Sequence, residues 1–219
     1  MMVRYVLGVV STLMCFGISS AKADEGIYLS GLAGVSLYED SESQGGGLSV
    51  TNDYQPGYAV SGALGYLYEN GLRAEVELSH RSADIADFNS VSAGGTTIAL
   101  GNGIKGSGSV SATSLLLNAG YELETRTGFS PYVLGGLGVA HIDVNDARVN
   151  GVLLADSSDS VLAYQIGVGS MYKLTAHTSL DLSYRFFDTQ DPELRDSSGA
   201  NFESEMQTHN VMLGLRYRF

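Results

Sequence analysis

Asn210 to Phe219 reads NVMLGLRYRF, and its alternation decides the fold. Val211, Leu213, Leu215, Tyr217 and Phe219 share one parity, while Met212, Gly214, Arg216 and Arg218 share the other. Successive side chains of an extended chain point to opposite faces, so this is a strand with one apolar face and one face that accepts charge. Leu72 to Arg81 (LRAEVELSHR) and Ser179 to Phe187 (SLDLSYRFF) repeat the pattern. Weaker versions run over residues 27–38, 58–69, 113–124, 132–143 and 162–173, giving eight segments and no apolar run at helical spacing. Each is about as long as the 9 to 11 residues that a tilted strand needs to cross a bilayer.

The connections fall into two alternating classes. Asn70-Gly71, Thr125 to Ser130 and Thr175 to Thr178 are short, and Asn-Gly is a strong hairpin signal. Residues 39–57, 82–112, 144–161 and 188–208 are long and rich in Gly, Ser, Asp and Asn. Short turns at one rim and long loops at the other define an all-β, eight-stranded antiparallel up-and-down transmembrane β-barrel.

Composition agrees. Of 219 residues 28 are Gly and 3 Pro, with 13 Tyr, 7 Phe and no Trp, which suits strands and excludes collagen or a Pro-rich linker. Residues 1–23 read as a cleavable signal peptide: Arg4 is the positive start, Val6 to Ile18 the apolar stretch, and Ala21-Lys22-Ala23 the A-x-A cleavage pattern. Residues 24–219 then form the barrel domain. Cys15, the sole cysteine, falls within the signal, so the mature chain holds no disulfide or metal thiolate. Removing Arg4 and Lys22 leaves 10 basic against 24 acidic residues, a net charge of −14 that repels nucleic-acid phosphate and excludes it as a partner.

Parity sharpens the reading. In the seven segments other than the fifth, Glu69, Arg73, Glu75, Glu77, Arg81, Glu122, Glu124, Lys173, Asp181, Arg185, Arg216 and Arg218 all oppose the apolar parity. They are six acids and six bases, although the mature chain is strongly acidic. A charge facing hydrocarbon costs about 2 to 4 kcal/mol at the bilayer midplane, whereas paired charges persist inside a barrel. Arg73, Glu75, Glu77, Glu122, Glu124, Asp181, Arg185, Arg216 and Arg218 therefore form the candidate lumen network. Strand adjacency suggests Arg73 with Glu122 or Glu124, and Asp181 with Arg216 or Arg218. In the fifth segment both parities are apolar, and Tyr132 is placed outward because that sends His141 and Asp143 inward. A soluble barrel with an apolar interior is disfavoured by two aromatic belts: Tyr66, Tyr68, Tyr121, Tyr172, Tyr217 and Phe219 toward the short-turn rim, and Tyr58, Tyr164, Tyr184 and Phe186 toward the other.

With its final Phe219 and alternate Tyr217, the terminal NVMLGLRYRF resembles the strand by which the barrel assembly machinery recognises outer-membrane proteins. Together with PYVLGGLGVAHIDV (Pro131 to Val144), it resembles the OmpA-like, opacity-type porin family of small barrels and bacterial surface antigens. The resemblance implies a place in the Gram-negative outer membrane, antigenic loops, and no particular chemistry.

Eight strands leave a lumen just wide enough for side chains. The expected function is accordingly a non-enzymatic surface protein with a plugged lumen, serving envelope structure or adhesion. Its long loops are acidic, carrying Glu39, Asp40, Glu42 and Asp53 in one and Asp188, Asp191, Glu193, Asp196, Glu203 and Glu205 against Arg195 in another. They suit a host or surface ligand. The alternative is a narrow porin for ions or small solutes, and third comes a lipid-modifying enzyme. His80 sits beside Ser79 on the opposite face, His141 has Asp143 but no serine assignable by spacing, and His177 and His209 fall at a turn and a strand end. No cofactor or metal site is expected.

Overall fold

A computed structural model describes residues 25–38, 41–45, 48–93, 96–99, 106–123, 125, 127–149, 152–190, 193–195, 201–203 and 206–219. The signal-peptide reading and Glu124 lie outside these residues. Eight strands build the wall: β1 Gly26–Tyr38, β2 Gly57–Leu67, β3 Leu72–Ala93, β4 Gly106–Glu122, β5 Phe129–Val149, β6 Val152–Lys173, β7 Thr178–Thr189 and β8 Gln207–Arg218. Each pairs antiparallel with its neighbour in sequence, and β1 pairs with both β2 and β8, closing an eight-stranded barrel.

Register fixes the geometry. One path from Ala33 runs through Val60, His80, Thr113 and His141 to Ser160 on β6. The path the other way, through Leu213 and Leu182, reaches Ser170 on the same strand. The ten-residue offset is the barrel's shear. With eight strands it sets a tilt of roughly 40°.

Alternation holds along the membrane-crossing part of the wall strands. Ile27, Leu29, Val35, Leu64, Val76, Leu78, Leu117, Leu137, Ile166, Leu182 and Leu213 face out, while Tyr28, Leu32, Ala63, Glu77, Leu116, Arg185 and Met212 are buried in the lumen. On the outer wall Tyr66 packs edge-on against Tyr68 and Tyr217 edge-on against Phe219, while Phe129 and Tyr172 meet at a tilt, forming the belt at the short-turn rim. The β2–β3 turn uses Gly71 at φ 84°, and an added Cβ there would lie 2.4 Å from the Glu122 carbonyl oxygen. Glycine is required on both counts.

Two sequence expectations are corrected. The connections 82–112 and 144–161 are strand over much of their length, since β3 continues to Ala93, β4 begins at Gly106, and β5 and β6 pair up to Val149 and Val152. Beyond the hydrocarbon no apolar face is imposed on a strand, so pairing continues there with no period-two hydrophobic signal to reveal it. Short strands at Ser41–Gly45, Leu48–Tyr54, Thr96–Ala99, Glu193–Arg195 and Asn201–Glu203 extend the sheet in this zone. The second correction concerns β5, whose parity is reversed. Tyr132, Leu134, Ala140 and Ile142 are buried inward, Val133, Leu137 and Val139 face out, and His141 and Asp143 are exposed on the outer wall. The two polar residues stand near the long-loop rim, where the outer wall is no longer in hydrocarbon and carries charge at little cost.

Candidate functional site

The lumen is built in layers. Near the short-turn mouth, Arg216 Nη1 donates to Glu122 Oε2 at 2.5 Å, and Arg73 Nη1 stands 3.7 Å from the same oxygen. The guanidinium of Arg73 lies 4.1 Å over the Tyr132 ring, and that of Arg216 lies 4.3 Å over Tyr28. Both tyrosines fit because the opposing wall residues have no side chain: an added Cβ at Gly65 would be 2.4 Å from the Tyr28 ring, and one at Gly169 would be 2.6 Å from the Tyr132 ring. Tyr28 donates to Glu75 Oε2 at 2.5 Å, and Tyr132 donates to Asp181 Oδ1 at 2.8 Å.

The middle layer turns on Glu77, which is fully buried. Its Oε2 accepts Arg185 Nη1 at 2.5 Å and Asn118 Nδ2 at 3.1 Å, while Oε1 accepts Gln165 Nε2 at 3.3 Å. Asn118 also donates to Glu75 and accepts from Gln165, tying β3, β4, β6 and β7 together across the lumen. Above it Arg81 lies 3.6 Å over the Phe187 ring and donates to Ser79 and Ser114. The outer mouth is apolar, where Val110, Ala112, Ile142 and Met206 are buried together with Tyr38, Val144 and Val161 packed around them.

Of the residues expected in the lumen, Arg73, Glu75, Glu77, Glu122, Asp181, Arg185 and Arg216 are buried there. Arg218 is instead at the short-turn rim, donating to the Ala176 carbonyl. Asp181 meets Tyr132 rather than Arg216, because Arg216 reaches across the lumen to Glu122. That contact links β8 to β4, two strands that are not neighbours. Tyr28, Tyr132, Asn118, Gln165 and Arg81 complete the network. The inward parity of Asn118, Gln165 and Arg81 was a usable signal in the sequence, whereas the two tyrosines were hidden among apolar residues.

The histidines all face outward or sit at a turn. His80 Nδ1 is 3.0 Å from Thr113 Oγ1, His209 Nδ1 is 2.6 Å from the Tyr184 hydroxyl, and His177 Nδ1 is 3.0 Å from the Arg218 carbonyl. Ser79 is buried on the other face from His80. His141 has a neighbour that spacing could not assign, with Nδ1 2.9 Å from Ser160 Oγ and Nε2 3.5 Å from Asp143 Oδ1. The Ser160 N–H donates to Asp159 Oδ1 at 2.7 Å. The group is a polar ladder on the outer wall. Among the described residues no cluster of three or more His, Cys, Asp or Glu is arranged to hold a metal ion.

The family profile for the outer membrane protein beta-barrel domain matches residues 8–219, and the chain belongs to that family. It is 24% identical over 229 residues to the outer membrane protein PagN of Salmonella typhimurium, covering 92% of this chain and 93% of that one. A candidate adhesin of Rickettsia prowazekii is 20% identical over 213 residues, with 94% of each chain covered. In fold it is similar to Neisserial surface protein A (TM-score 0.54, 16% identity, 90% of this chain and 100% of that one). It is likewise similar to OprG from Pseudomonas aeruginosa (TM-score 0.52, 18% identity, 92% and 100%). The protein is thus a β-barrel of the Gram-negative outer membrane.

Proposed function

We propose that the protein is a non-enzymatic surface protein whose barrel is a closed anchor and whose acidic outer loops do the work, in envelope structure or in adhesion. The observation that carries this reading is the Glu77 layer, where Arg185, Asn118 and Gln165 meet one carboxylate across a lumen eight strands wide. An apolar cap at the outer mouth adds a second barrier, since an apolar constriction excludes water and ions. The adhesin-like relative supports a loop-borne interaction. With a mature charge of −14, the loops suit a basic protein surface or a cation-bridged partner and repel a sulfated polysaccharide.

Conductance of purified protein in planar bilayers tests the plug. Little or no steady current is expected. A large steady conductance rejects the plug and favours a narrow porin. Tyr217 and Phe219, exposed at the end of β8, are proposed as the signal read by the barrel assembly machinery. Deleting Phe219 should lower the amount of folded barrel in the outer membrane, and unchanged levels would remove that role.

A further inference from the structure

The outer wall over β4, β5 and β6 changes character row by row. Lowest come Ala119, Gly135 and Ile166 in register, then Leu117, Leu137 and Tyr164, then Leu115, Val139 and Leu162. Next stands Thr113, His141 and Ser160, with His80 beside Thr113 on β3, and above it Ser111, Asp143 and Ser158. The small residues of the lowest row open a shallow slot of about 620 Å³, wide to the outside and lined by Leu117, Ala119, Gly135, Leu137, Tyr164 and Ile166. From Thr113 to Ala119 is roughly 20 Å of strand, which at the barrel's tilt descends about one leaflet. An apolar slot therefore lies directly beneath a row of imidazoles and hydroxyls, and that row lies beneath carboxylates: Asp143 on β5 and the exposed Asp84 on β3. Among the residues of this rim whose side chains are described, none that faces outward is Lys or Arg.

We infer that this wall binds one lipid of the outer leaflet, with an acyl chain in the slot and an aminoethyl-phosphate headgroup on the rows above it. The vertical order matches. Phosphate sits at the level of the glycerol or sugar, where the His80–Thr113 and His141–Ser160 pairs each keep one N–H or O–H beyond the bond within the pair. The primary ammonium projects farther from the bilayer, where Asp143 and Asp84 offer charge-assisted acceptors. A headgroup with phosphate and no cation meets the donors but leaves the carboxylates of Asp143 and Asp84 without an ammonium to accept from, which is how the site discriminates.

Native mass spectrometry of the barrel, released from detergent micelles containing dimyristoyl phosphatidylethanolamine, tests this. One intact lipid per barrel is expected, with retention of dimyristoyl phosphatidylglycerol lower by roughly tenfold or more, the equivalent of about 1.4 kcal/mol. Gly135→Leu fills the slot without disturbing the wall, because an added Cβ there meets nothing closer than the Gln165 carbonyl at 4.0 Å. This variant and the pair His80→Gln with His141→Gln should each lose the bound lipid while retaining the heat-modifiable migration of a folded barrel. Equal retention of the two lipids, equal retention by wild type and folded variants, or displacement by millimolar free phosphoethanolamine overturns the site. A bound lipid lacking one myristoyl chain overturns it too, since the site would then cleave what it is inferred to hold.

Discussion

The two faces of the barrel wall use the same strands and obey different rules. Outside, Leu29, Leu64, Leu78, Leu137 and Leu213 meet lipid, and one apolar side chain serves as well as another. Inside, Glu77 has Arg185, Asn118 and Gln165, and Glu122 has Arg216 and Arg73, each at a set distance. A substitution on the outer face costs what its depth in hydrocarbon dictates, whereas one on the inner face costs what its partners lose. The largest effect is therefore expected inside. Arg185→Ala leaves Glu77 buried without its ion-pair partner, and breaking a buried pair costs about 3 to 5 kcal/mol. The melting temperature of the detergent-solubilised barrel should fall sharply. A variant that melts with wild type would mean that the ion pair contributes no stability.

The outer face comes next. Leu213→Lys puts an ammonium against hydrocarbon near the middle of β8, with an expected cost of about 2 to 4 kcal/mol read from folding titrations into lipid vesicles. Leu213→Ile should be nearly silent in the same assay. If the conservative change cost as much as the charge, the outer wall would be as specific as the lumen, and the contrast between the faces would fail.

That contrast also governs what the sequence revealed. On seven of the eight strands the residue types alternated where one face touched hydrocarbon, so those strands and the short turns were readable from sequence alone. Beyond the hydrocarbon no such face is imposed, and the extensions of β3 to β6 left no mark. On β5 the lumen-facing Tyr132, Leu134, Ala140 and Ile142 are as apolar as the outward Val133, Leu137 and Val139, so alternation could not choose. His141 and Asp143 then suggested the wrong side, because a polar pair at the rim obeys water rather than lipid. Pairing inside the lumen was only partly readable for a different reason. Strand adjacency names neighbours on the wall, but Arg216 on β8 reaches Glu122 on β4 across the interior.

Orientation offers a coarser check of the same division. Protease added to intact cells should cut only within residues 39–57, 82–112, 144–161 or 188–208. Cleavage at Asn70-Gly71 or near Arg126 would invert the barrel and move the His80 and His141 rows to the inner leaflet.

The smallest effect distinguishes two acids in one layer of the lumen. Glu122 accepts Arg216 at 2.5 Å with Arg73 nearby, so Glu122→Gln removes the carboxylate of the buried Arg216 pair, while Arg73 keeps Glu75 at 4.0 Å. Asp181 is equally buried, but its direct partner is the Tyr132 hydroxyl at 2.8 Å. An amide oxygen accepts that hydrogen bond as a carboxylate oxygen does. Asp181→Asn keeps the contact and exchanges a charge-assisted bond for a neutral one, a difference of about 1 kcal/mol. Its shift in thermal melting should accordingly be a small fraction of that of Glu122→Gln. Equal shifts would show that Asp181 acts by its charge on Arg216 and Arg73 at a distance. The lumen would then behave as one electrostatic unit, and its separate hydrogen-bonded contacts would matter less than their total charge.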